Sequence, residues 1–202
     1  MNTPHDRSRL ILASKSPRRS ELLKQTGLTF SVIPSDFDES TVALSNPDTY
    51  VITLAESKAL DVSQKHPSAW VIGADTIVLI EHKILGKPGS RKEAFDMIQR
   101  LSGKTHQVLT GYCICCKNKN RIFSETVKTD VCFKKLNDAE INWYIQTGEP
   151  FDKAGGYAIQ GVGTFLVKSI NGSYTNVVGL PVCEVMEHLI NEGVVELNLE
   201  GH

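Results

Sequence analysis

The sequence lacks a long apolar run and an excess of charge of one sign. No run approaches the ~18 apolar residues of a membrane-spanning helix, and residues 1–9 are polar rather than typical of a signal peptide. The 22 lysines and arginines nearly balance the 23 aspartates and glutamates, giving a formal net charge of -1. General nucleic-acid binders usually carry a basic excess. These absences predict a cytoplasmic protein whose partners include neither a membrane nor a nucleic acid.

The sequence contains few cysteines, and their number is odd. Five cysteines without an export signal fit reduced thiols better than a set of disulfides. Cys113, Cys115 and Cys116 are close together, but they lack the paired C-x-x-C spacing of zinc sites and lie in an apolar, strand-like run. We therefore interpret these three cysteines as structural thiols.

The composition is that of a globular chain with one core. Of the 202 residues, 41% are hydrophobic and 22% are charged, and neither a repeat nor a linker divides the sequence. We expect a single domain over residues 1–202, with residues 192–202 as a loose tail. Helical patterns alternate with strand patterns, and one long hairpin is among them. This order predicts an α/β fold built on a mixed sheet.

Capping residues and turn signals mark several elements. Ser16 as N-cap and Pro17 at the first helical position predict the first helix. Capping-box spacing predicts two further helices, after Ser90 with Glu93 and after Asn137 with Glu140. The runs 105–116 and 122–136 predict a hairpin around the polar turn 117–120. Beyond it we expect a loop over 148–163, a strand over 164–170 and a last helix over 181–191.

Asp75 is a carboxylate inside the otherwise apolar run 71–79. Burying a charge is costly unless another group pairs with it. The side chain either accepts structural hydrogen bonds or faces a cleft, where it could hold a metal or deprotonate water. The run itself leaves both alternatives open.

Two lysines also interrupt their local patterns. Lys58 shares a helical face with Val51, Leu54 and Val62, so it either extends to solvent at the edge of an apolar stripe or holds a phosphate. Lys87 lies in the turn-like segment 85–89, soon after the run that contains Asp75. That segment taken alone indicates only a turn.

Residues 148–161 form a glycine-rich segment without a helix or strand signal. The glycines permit unusual backbone angles and close approach of a ligand, while Glu149, Asp152, Lys153 and Gln160 supply hydrogen-bonding groups. Loops of this length are more often functional than not. The segment is therefore a candidate for ligand binding.

Residues 14–19, S-K-S-P-R-R, join a strand-like run to a helix. A helix N-terminus offers free backbone N–H groups and a positive dipole end, to which Ser14 and Ser16 add hydroxyls. Arg18 and Arg19 oppose the dipole unless an anion lies between, and their forked donors suit phosphate. The segment therefore predicts an anion site, although it contains neither the Walker motif nor G-x-G-x-x-G.

The candidate residues combine cations with carboxylates and include no histidine or cysteine nucleophile. His106 could be a base, but we expect it to make structural hydrogen bonds. Such a set suits metal-assisted attack of water on a phosphoanhydride, where catalysis consists mainly of charge neutralisation and positioning. Its cations are Arg18, Arg19, Lys58 and Lys87, and its carboxylates are Glu39 and Asp75.

Seven collinear motifs resemble those of the Maf family of nucleoside triphosphate pyrophosphatases, and they run from residue 10 to about residue 190. They are L-A-S-K-S-P-R-R-S-E-L-L (12–23), A-E-S-K-A (55–59), G-A-D-T-I-V (73–78), I-L-G-K-P (84–88), L-S-G-K-T-H-Q-V-L-T-G (101–111), G-E-P-F-D-K-A-G-G-Y-A-I-Q-G (148–161) and N-G-S-Y-T-N-V-V-G-L-P (171–181). Ala158 departs from the pattern, which has glycine there.

The resemblance implies an elongated mixed β-sheet flanked by helices, with two lobes around a cleft, similar to inosine triphosphate pyrophosphatases. It implies hydrolysis of a nucleoside triphosphate to the monophosphate and pyrophosphate, with a divalent cation, Mg2+ or Mn2+, and a homodimer. Asp75 matches the family's proton acceptor, and Glu39 matches its acidic partner at the metal, although Asp36 and Asp38 are near. The positions matching the phosphate cleft are Ser14, Arg18, Arg19, Lys58 and Lys87.

Three positions resemble the branch of the family that prefers dTTP and UTP. They are Arg18, Thr76 and Gln160, whereas the branch acting on 7-methyl-GTP has S-D-Q in place of A-D-T. An amide at Gln160 suits the alternating carbonyl and N–H edge of a pyrimidine. The alternatives are a 7-methyl-GTP or broad-range pyrophosphatase and a non-catalytic nucleotide-binding regulator of septum formation.

Overall fold

The computed structural model describes residues 10–196. The helices and strands are β1 (Leu10–Leu12), α1 (Pro17–Lys24), β2 (Ser31–Val32), α2 (Pro47–Lys65), β3 (Trp70–Ile80), β4 (Lys83–Leu85), α3 (Arg91–Leu101), β5 (Thr105–Cys116), β6 (Arg121–Phe133), α4 (Asp138–Gln146), β7 (Val167–Asn171), α5 (Tyr174–Val178) and α6 (Val182–Asn191). Short 3-10 turns cover Glu39–Thr41, Glu149–Asp152, Ala154–Gly156 and Gly161–Leu166.

The described strands form one mixed sheet in the order β2-β1-β3-β5-β6-β7, with β4 paired to β3. β1 runs parallel to β2 and β3, whereas the pairs β3–β4, β3–β5, β5–β6 and β6–β7 are antiparallel. The β5–β6 hairpin turns at 117–120 as predicted, and Asn120 adopts a left-handed φ of 52° there. The predicted α/β fold on a mixed sheet flanked by helices is confirmed.

One edge of β3 is interrupted. β1 pairs with residues 70–72 of β3, and β4 pairs with residues 78–80 of the same edge. Between these pairings, the described part of the chain places no strand beside residues 73–77. A cleft can therefore reach the backbone of β3 at Asp75 and Thr76.

Helix α2 packs closely on the sheet over β3 and β5. A Cβ atom added to Gly73 would collide with the backbone oxygen of Ala55, and one added to Gly111 would lie 2.5 Å from the backbone of Val51. Glycine at both positions lets the helix approach, which brings its Lys58 to the level of Asp75. The odd-numbered residues of β3 therefore face α2, and the even-numbered residues face the opposite side.

Two buried clusters divide the long strands into two lobes, as predicted. The first lobe packs β1, α1 and α6 on one half of β3 and β5, and its fully buried members include Leu12, Leu23 and Ile72. The second lobe packs α3 and α4 on the other half, around Ile98 and Tyr144. The interrupted edge of β3 lies between these lobes.

Several local predictions need correction. Residues 161–166 form a 3-10 helix, so the strand predicted over 164–170 begins at Val167. Helix α5 is additional to the predicted elements. The Asn137–Glu140 capping box is complete, but Glu93 accepts from the backbone N–H of Gly89 rather than from that of its N-cap.

The predicted loose tail, 192–202, begins with ordered contacts. Glu192 pairs with Arg121, with 2.9 Å between Oε2 and Nε, and Val194 and Val195 pack against the first lobe. Residues 197–202, and residues 1–9 at the other end, lie outside the described residues. Among the helices of residues 10–196, none is long and apolar enough to cross a membrane.

Candidate active site

A cleft with a volume of about 640 Å³ lies between the two lobes, at the interrupted edge of β3. Both faces of β3 contribute to its walls, because α2 lines one side and α1 with the segment after α5 lines the other. Every predicted site residue lines this cleft: Ser14, Arg18, Arg19, Glu39, Lys58, Asp75, Thr76, Lys87 and Gln160. The structure therefore brings together residues that are up to 146 positions apart in sequence (14 to 160).

Lys58 lies between two carboxylates. Its Nζ is 2.7 Å from Oδ1 of Asp75 and 2.8 Å from Oε1 of Glu39. The side chains of Lys58 and Asp75 are only 12% and 13% exposed, whereas that of Glu39 is 57% exposed. Asp75 therefore faces the cleft. Lys58 is held in an ion pair rather than extended to solvent, and its contact with a phosphate stays a prediction.

The carboxylate of Glu39 is held in its charged form. Partial burial alone would raise its pKa, but the hydrogen bond and charge of Lys58, with the charges of Lys87 and Arg19, lower the pKa below its usual value. Both carboxylates contact a single ammonium group, at 2.8 and 2.7 Å, so they lie beside one another in the cleft. Two carboxylates completed by substrate phosphates form a donor set that suits Mg2+.

Within residues 10–196, no group of three or more histidine, cysteine, aspartate and glutamate side chains could hold a metal ion. Cys113, Cys115 and Cys116 are buried in the core along β5. This burial supports their interpretation as structural thiols, which stays a prediction.

Arg19 donates hydrogen bonds to four groups of the protein. Its Nε donates to the carbonyl of Gly179 at 2.7 Å, Nη1 donates to the carbonyl of Ala74 at 2.8 Å and to Oγ of Ser14 at 3.3 Å, and Nη2 donates to Oγ1 of Thr76 at 3.0 Å. Desolvation lowers its pKa, and the charge of Asp75 partly opposes this shift. Arg19 therefore ties α1 to β3 and to the segment after α5.

Arg18, the neighbouring arginine, crosses the cleft instead. Its Nη1 is 2.9 Å from Oδ2 of Asp152, which belongs to the glycine-rich segment of the second lobe. Asp152 also pairs with Lys153, whose Nζ is 2.6 Å from Oδ1. One exposed ion pair therefore joins the lobes beside the cleft, and the Arg18 side chain remains 28% exposed.

The first turn of α1 follows the prediction. Oγ of Ser16 accepts from the backbone N–H of Arg19 at 3.5 Å, and Pro17 occupies the first helical position. Oγ of Ser14 accepts from the backbone N–H of Ser16 at 3.2 Å, so this short segment is fixed at the cleft wall. A phosphate would meet a preformed turn there.

Lys87 and Gln160 lie on segments of the second lobe. The carbonyl of Gly86 accepts from the backbone N–H of Gly155 at 2.9 Å, which joins the turn that carries Lys87 to the glycine-rich segment. Gln160 precedes the 3-10 helix Gly161–Leu166 and, with Arg18, also lines a smaller hollow of about 300 Å³ against α1. The amide therefore lies where the two lobes meet.

His106 is buried and makes a structural contact, as expected. Its Nε2 is 2.7 Å from the hydroxyl of Tyr157, and burial lowers its pKa to about 4. A histidine held neutral beneath the glycine-rich segment supports the position of Tyr157. It lies outside the set of residues that line the cleft.

Comparison with known proteins agrees with this geometry. The family model described as "Maf-like protein" matches residues 9–192. The chain belongs to the Maf-like family.

Curated relatives cover nearly the whole of this Maf-like chain. A protein of Syntrophus aciditrophicus (strain SB) is 47% identical over 96% of the chain and 95% of its own length, and one of Geotalea uraniireducens (strain Rf4) is 47% identical over 94% and 98%. Both are named "dTTP/UTP pyrophosphatase". Among solved structures, that of the Staphylococcus aureus Ham1 protein has a TM-score of 0.48 at 15% identity, covering 92% of this chain and 100% of that one.

The sequence prediction missed several cleft residues of this Maf-like protein. Tyr50 lines the cleft from α2, and its spacing of eight residues from Lys58 places both on one helical face, a signal that was available. Burial and the charges of Asp75 and Glu39 raise the pKa of Tyr50. The pairing of Asp152 with Arg18 had no sequence signal, because it joins residues of different lobes.

Proposed function

We propose that the protein hydrolyses nucleoside triphosphates, specifically dTTP and UTP, to the nucleoside monophosphate and pyrophosphate, and so removes non-standard or excess nucleotides. The observation that carries this proposal is the Asp75–Lys58–Glu39 cluster at the interrupted edge of β3, in a cleft with further cations. The names of the relatives support the substrate class.

The charges of the cleft suit a triphosphate. Lys58 and Lys87 stand on one side, and Arg18 extends from α1 on the other. A triphosphate carries about four negative charges at neutral pH, and such cations stabilise both the bound ligand and the charge that develops during phosphoryl transfer. Arg18 can exchange its exposed partner Asp152 for a phosphate, because an exposed ion pair is weak.

Asp75 is the group that we propose to accept a proton from the attacking water. The water oxygen forms a new bond to the α-phosphorus, the bond from that phosphorus to the bridging oxygen breaks, and pyrophosphate leaves. The Nζ atom of Lys58 is 2.7 Å from Oδ1 of Asp75, and this ion pair holds the carboxylate in position at the cleft.

Glu39 and Asp75 would hold the divalent cation, Mg2+ or Mn2+. When bound, such a cation neutralises phosphate charge and orients the phosphate chain. Lys58 contacts the same two carboxylates, so a divalent cation held by them would take over contacts that the ammonium makes in this arrangement. We propose the dependence on a metal together with the roles of the site residues.

The preference for dTTP and UTP rests on three residues and on the relatives' names. Arg18, Thr76 and Gln160 line one cleft, as a set of base-selecting residues must. A 7-methyl-GTP pyrophosphatase is the alternative, and parallel turnover of UTP, dTTP and 7-methyl-GTP separates the two. The homodimer, the single domain and the cytoplasmic location stay predictions.

The test is the substitution Asp75→Asn, with Asp96→Asn as the matched control on the exposed surface of α3. Loss of the proton acceptor should lower the rate of pyrophosphate release by about a hundred- to ten-thousandfold. The control should keep the wild-type rate. A folded Asp75→Asn variant with wild-type turnover would refute the assigned role. A wild type that is stabilised by UTP but releases no pyrophosphate would favour the non-catalytic regulator.

A further inference from the structure

A buried chain of hydrogen bonds connects Thr76 to helix α5. Thr76 and Thr110 are direct partners across β3 and β5, and their hydroxyl oxygens are 2.9 Å apart. Oγ1 of Thr110 is also 3.1 Å from the carbonyl of Asn176, and Nη2 of Arg19 donates to Oγ1 of Thr76 at 3.0 Å. Thr110 and Asn176 are completely buried, whereas Thr76 is partly exposed to the cleft.

The direction of these hydrogen bonds follows from counting protons. A threonine hydroxyl has one proton, and a carbonyl can only accept. The carbonyl of Asn176 lies in the last turn of α5, where helix carbonyls lack intrahelical partners, and leaving it unpaired in the core would be costly. The proton of Thr110 therefore goes to Asn176, and Thr76 must be the donor to Thr110.

This ordering limits what Thr76 can offer to a ligand. Its only proton points to Thr110, and one of its two lone pairs accepts from Arg19. One acceptor lone pair remains. Within the described residues, Arg19 makes four of its five possible N–H hydrogen bonds, so one Nη2 N–H remains beside that acceptor.

The space in front of these groups is open because residue 179 is glycine. A Cβ atom on Gly179 would lie 3.5 Å from Oγ1 of Thr76 and 3.5 Å from Nε of Arg19. Gly179 also has a φ of +125°, which disfavours any side chain. A ligand that enters the cleft can therefore approach an acceptor and a donor that lie side by side.

The free acceptor on Thr76 and the free donor on Arg19 determine which part of a nucleotide can bind beside them. Ionised phosphates only accept hydrogen bonds, so they cannot satisfy an acceptor on Thr76. The water activated by Asp75 lies at the opposite face of β3, because successive residues of a strand point to opposite faces. The remaining donors are on the nucleoside, and a ring N–H next to a carbonyl matches the acceptor–donor pair of Thr76 and Arg19.

We propose that Thr110 is a positioning residue that fixes the Thr76 hydroxyl as an acceptor, so that this wall of the cleft binds the imide N–H of a uracil or thymine ring. This inference rests on the proposed function and names the base contact within it. Thr110 itself touches no substrate. It acts by holding the proton of Thr76 away from the cleft.

The experiment compares UTP with its N3-methyl derivative, which lacks the imide proton, in the wild type, Thr110→Val and Thr110→Ser. In the wild type, kcat/KM should be higher for UTP by about three- to tenfold for the hydrogen bond, in addition to the steric effect of the methyl group. In Thr110→Val the Thr76 proton is free to turn, so the ratio should fall by about that factor. Thr110→Ser retains the hydroxyl and should restore it.

The methyl group has the same size in every comparison, so the change in ratio between the valine and serine variants reports the hydrogen bond alone. Equal ratios in folded Thr110→Val and Thr110→Ser would overturn the proposal. If Thr110→Val does not fold, equal kcat/KM for UTP and N3-methyl-UTP in the wild type would overturn it as well. Wild-type protein that binds UTP more tightly than N3-methyl-UTP but turns over neither would contradict the proposed function while supporting the base contact.

Discussion

The two faces of β3 at the cleft differ in their charge and in their hydrogen bonding. On the α2 face, the one positive charge of Lys58 pairs with the two carboxylates of Asp75 and Glu39 at the border of the cleft. On the other face, Thr76 belongs to a network of neutral hydroxyl and carbonyl groups that contains a single charge, that of Arg19. The first arrangement can exchange partners when an anion or a cation arrives, whereas the second holds its geometry.

This difference follows from where the protons and charges can go. An ammonium between two carboxylates can transfer its contacts to a phosphate when another cation takes its place beside the carboxylates, because each charge then keeps a partner. A buried carbonyl that loses its donor has no replacement. The α2 face is therefore suited to chemistry, and the opposite face to recognition of shape and hydrogen-bond polarity.

Among the variants that test this comparison of the two faces, the largest effect should come from removing the Lys58 charge that the α2 face shares. Lys58→Met removes the ammonium that pairs with both Asp75 and Glu39, and it removes a phosphate partner. Loss of the Lys58 charge also raises the pKa of Glu39. Pyrophosphate release from UTP should fall by about a hundred- to a thousandfold. Lys65→Met, on the same helix but 56% exposed, is the control and should change the rate less than about twofold. Similar rates in both variants would remove Lys58 from the mechanism.

The opposite face should respond to pH through His106, which lies on it four residues before Thr110. Its pKa is lowered to about 4 by burial, against 6.5 for an ordinary histidine. The unfolded chain therefore binds a proton that the folded chain does not between these values. Stability is complete above pH 6.5 and falls as the pH decreases toward 4, by about 3 kcal/mol from this group.

Urea unfolding of the wild type and of His106→Gln at pH 7 and pH 4.5 measures this contribution. The wild type should lose more stability on acidification than the variant, which has no imidazole to protonate. His82→Asn, at an exposed turn, is the control and should keep the wild-type difference. The same pH dependence in the wild type and His106→Gln would show that His106 is not held neutral.

The sequence predicted the site residues on both faces, but it did not predict the hydroxyl network that joins Thr76 to α5 on the face opposite α2. Asp75 and Lys58 interrupt apolar patterns, and such interruptions indicated that both residues needed partners. The partners themselves were not predictable, because Lys58 and Glu39 meet only after α2 and the 3-10 turn Glu39–Thr41 pack on the sheet. Thr110 gave no signal, since a threonine in a strand is ordinary.

Short elements also escaped prediction. Helix α5 has five residues, too few for a helical period, although Ser173 caps it by accepting from the backbone N–H of Asn176 at 3.2 Å. This helix supplies the carbonyl that orients Thr110. The hydrogen-bond network of Thr76 and Thr110 therefore depends on α5, a helix that is too short to be predicted from sequence periodicity.

The smallest predicted effect distinguishes the two adjacent arginines, whose contributions to stability the sequence does not separate. Consecutive residues on a helix point about 100° apart, so Arg19 turns into the protein while Arg18 crosses the cleft. Arg19→Lys cannot reach Gly179, Ala74 and Thr76 with one ammonium, and carbonyls lose their donors. We expect the free energy of unfolding to fall by about 2 kcal/mol.

Arg18→Lys is the matched control and should lower the free energy of unfolding by less than about 0.5 kcal/mol, because the ion pair of Arg18 with Asp152 is exposed. Urea denaturation midpoints of the two variants measure the difference, and equal shifts would mean that the second face is no more rigid than the first.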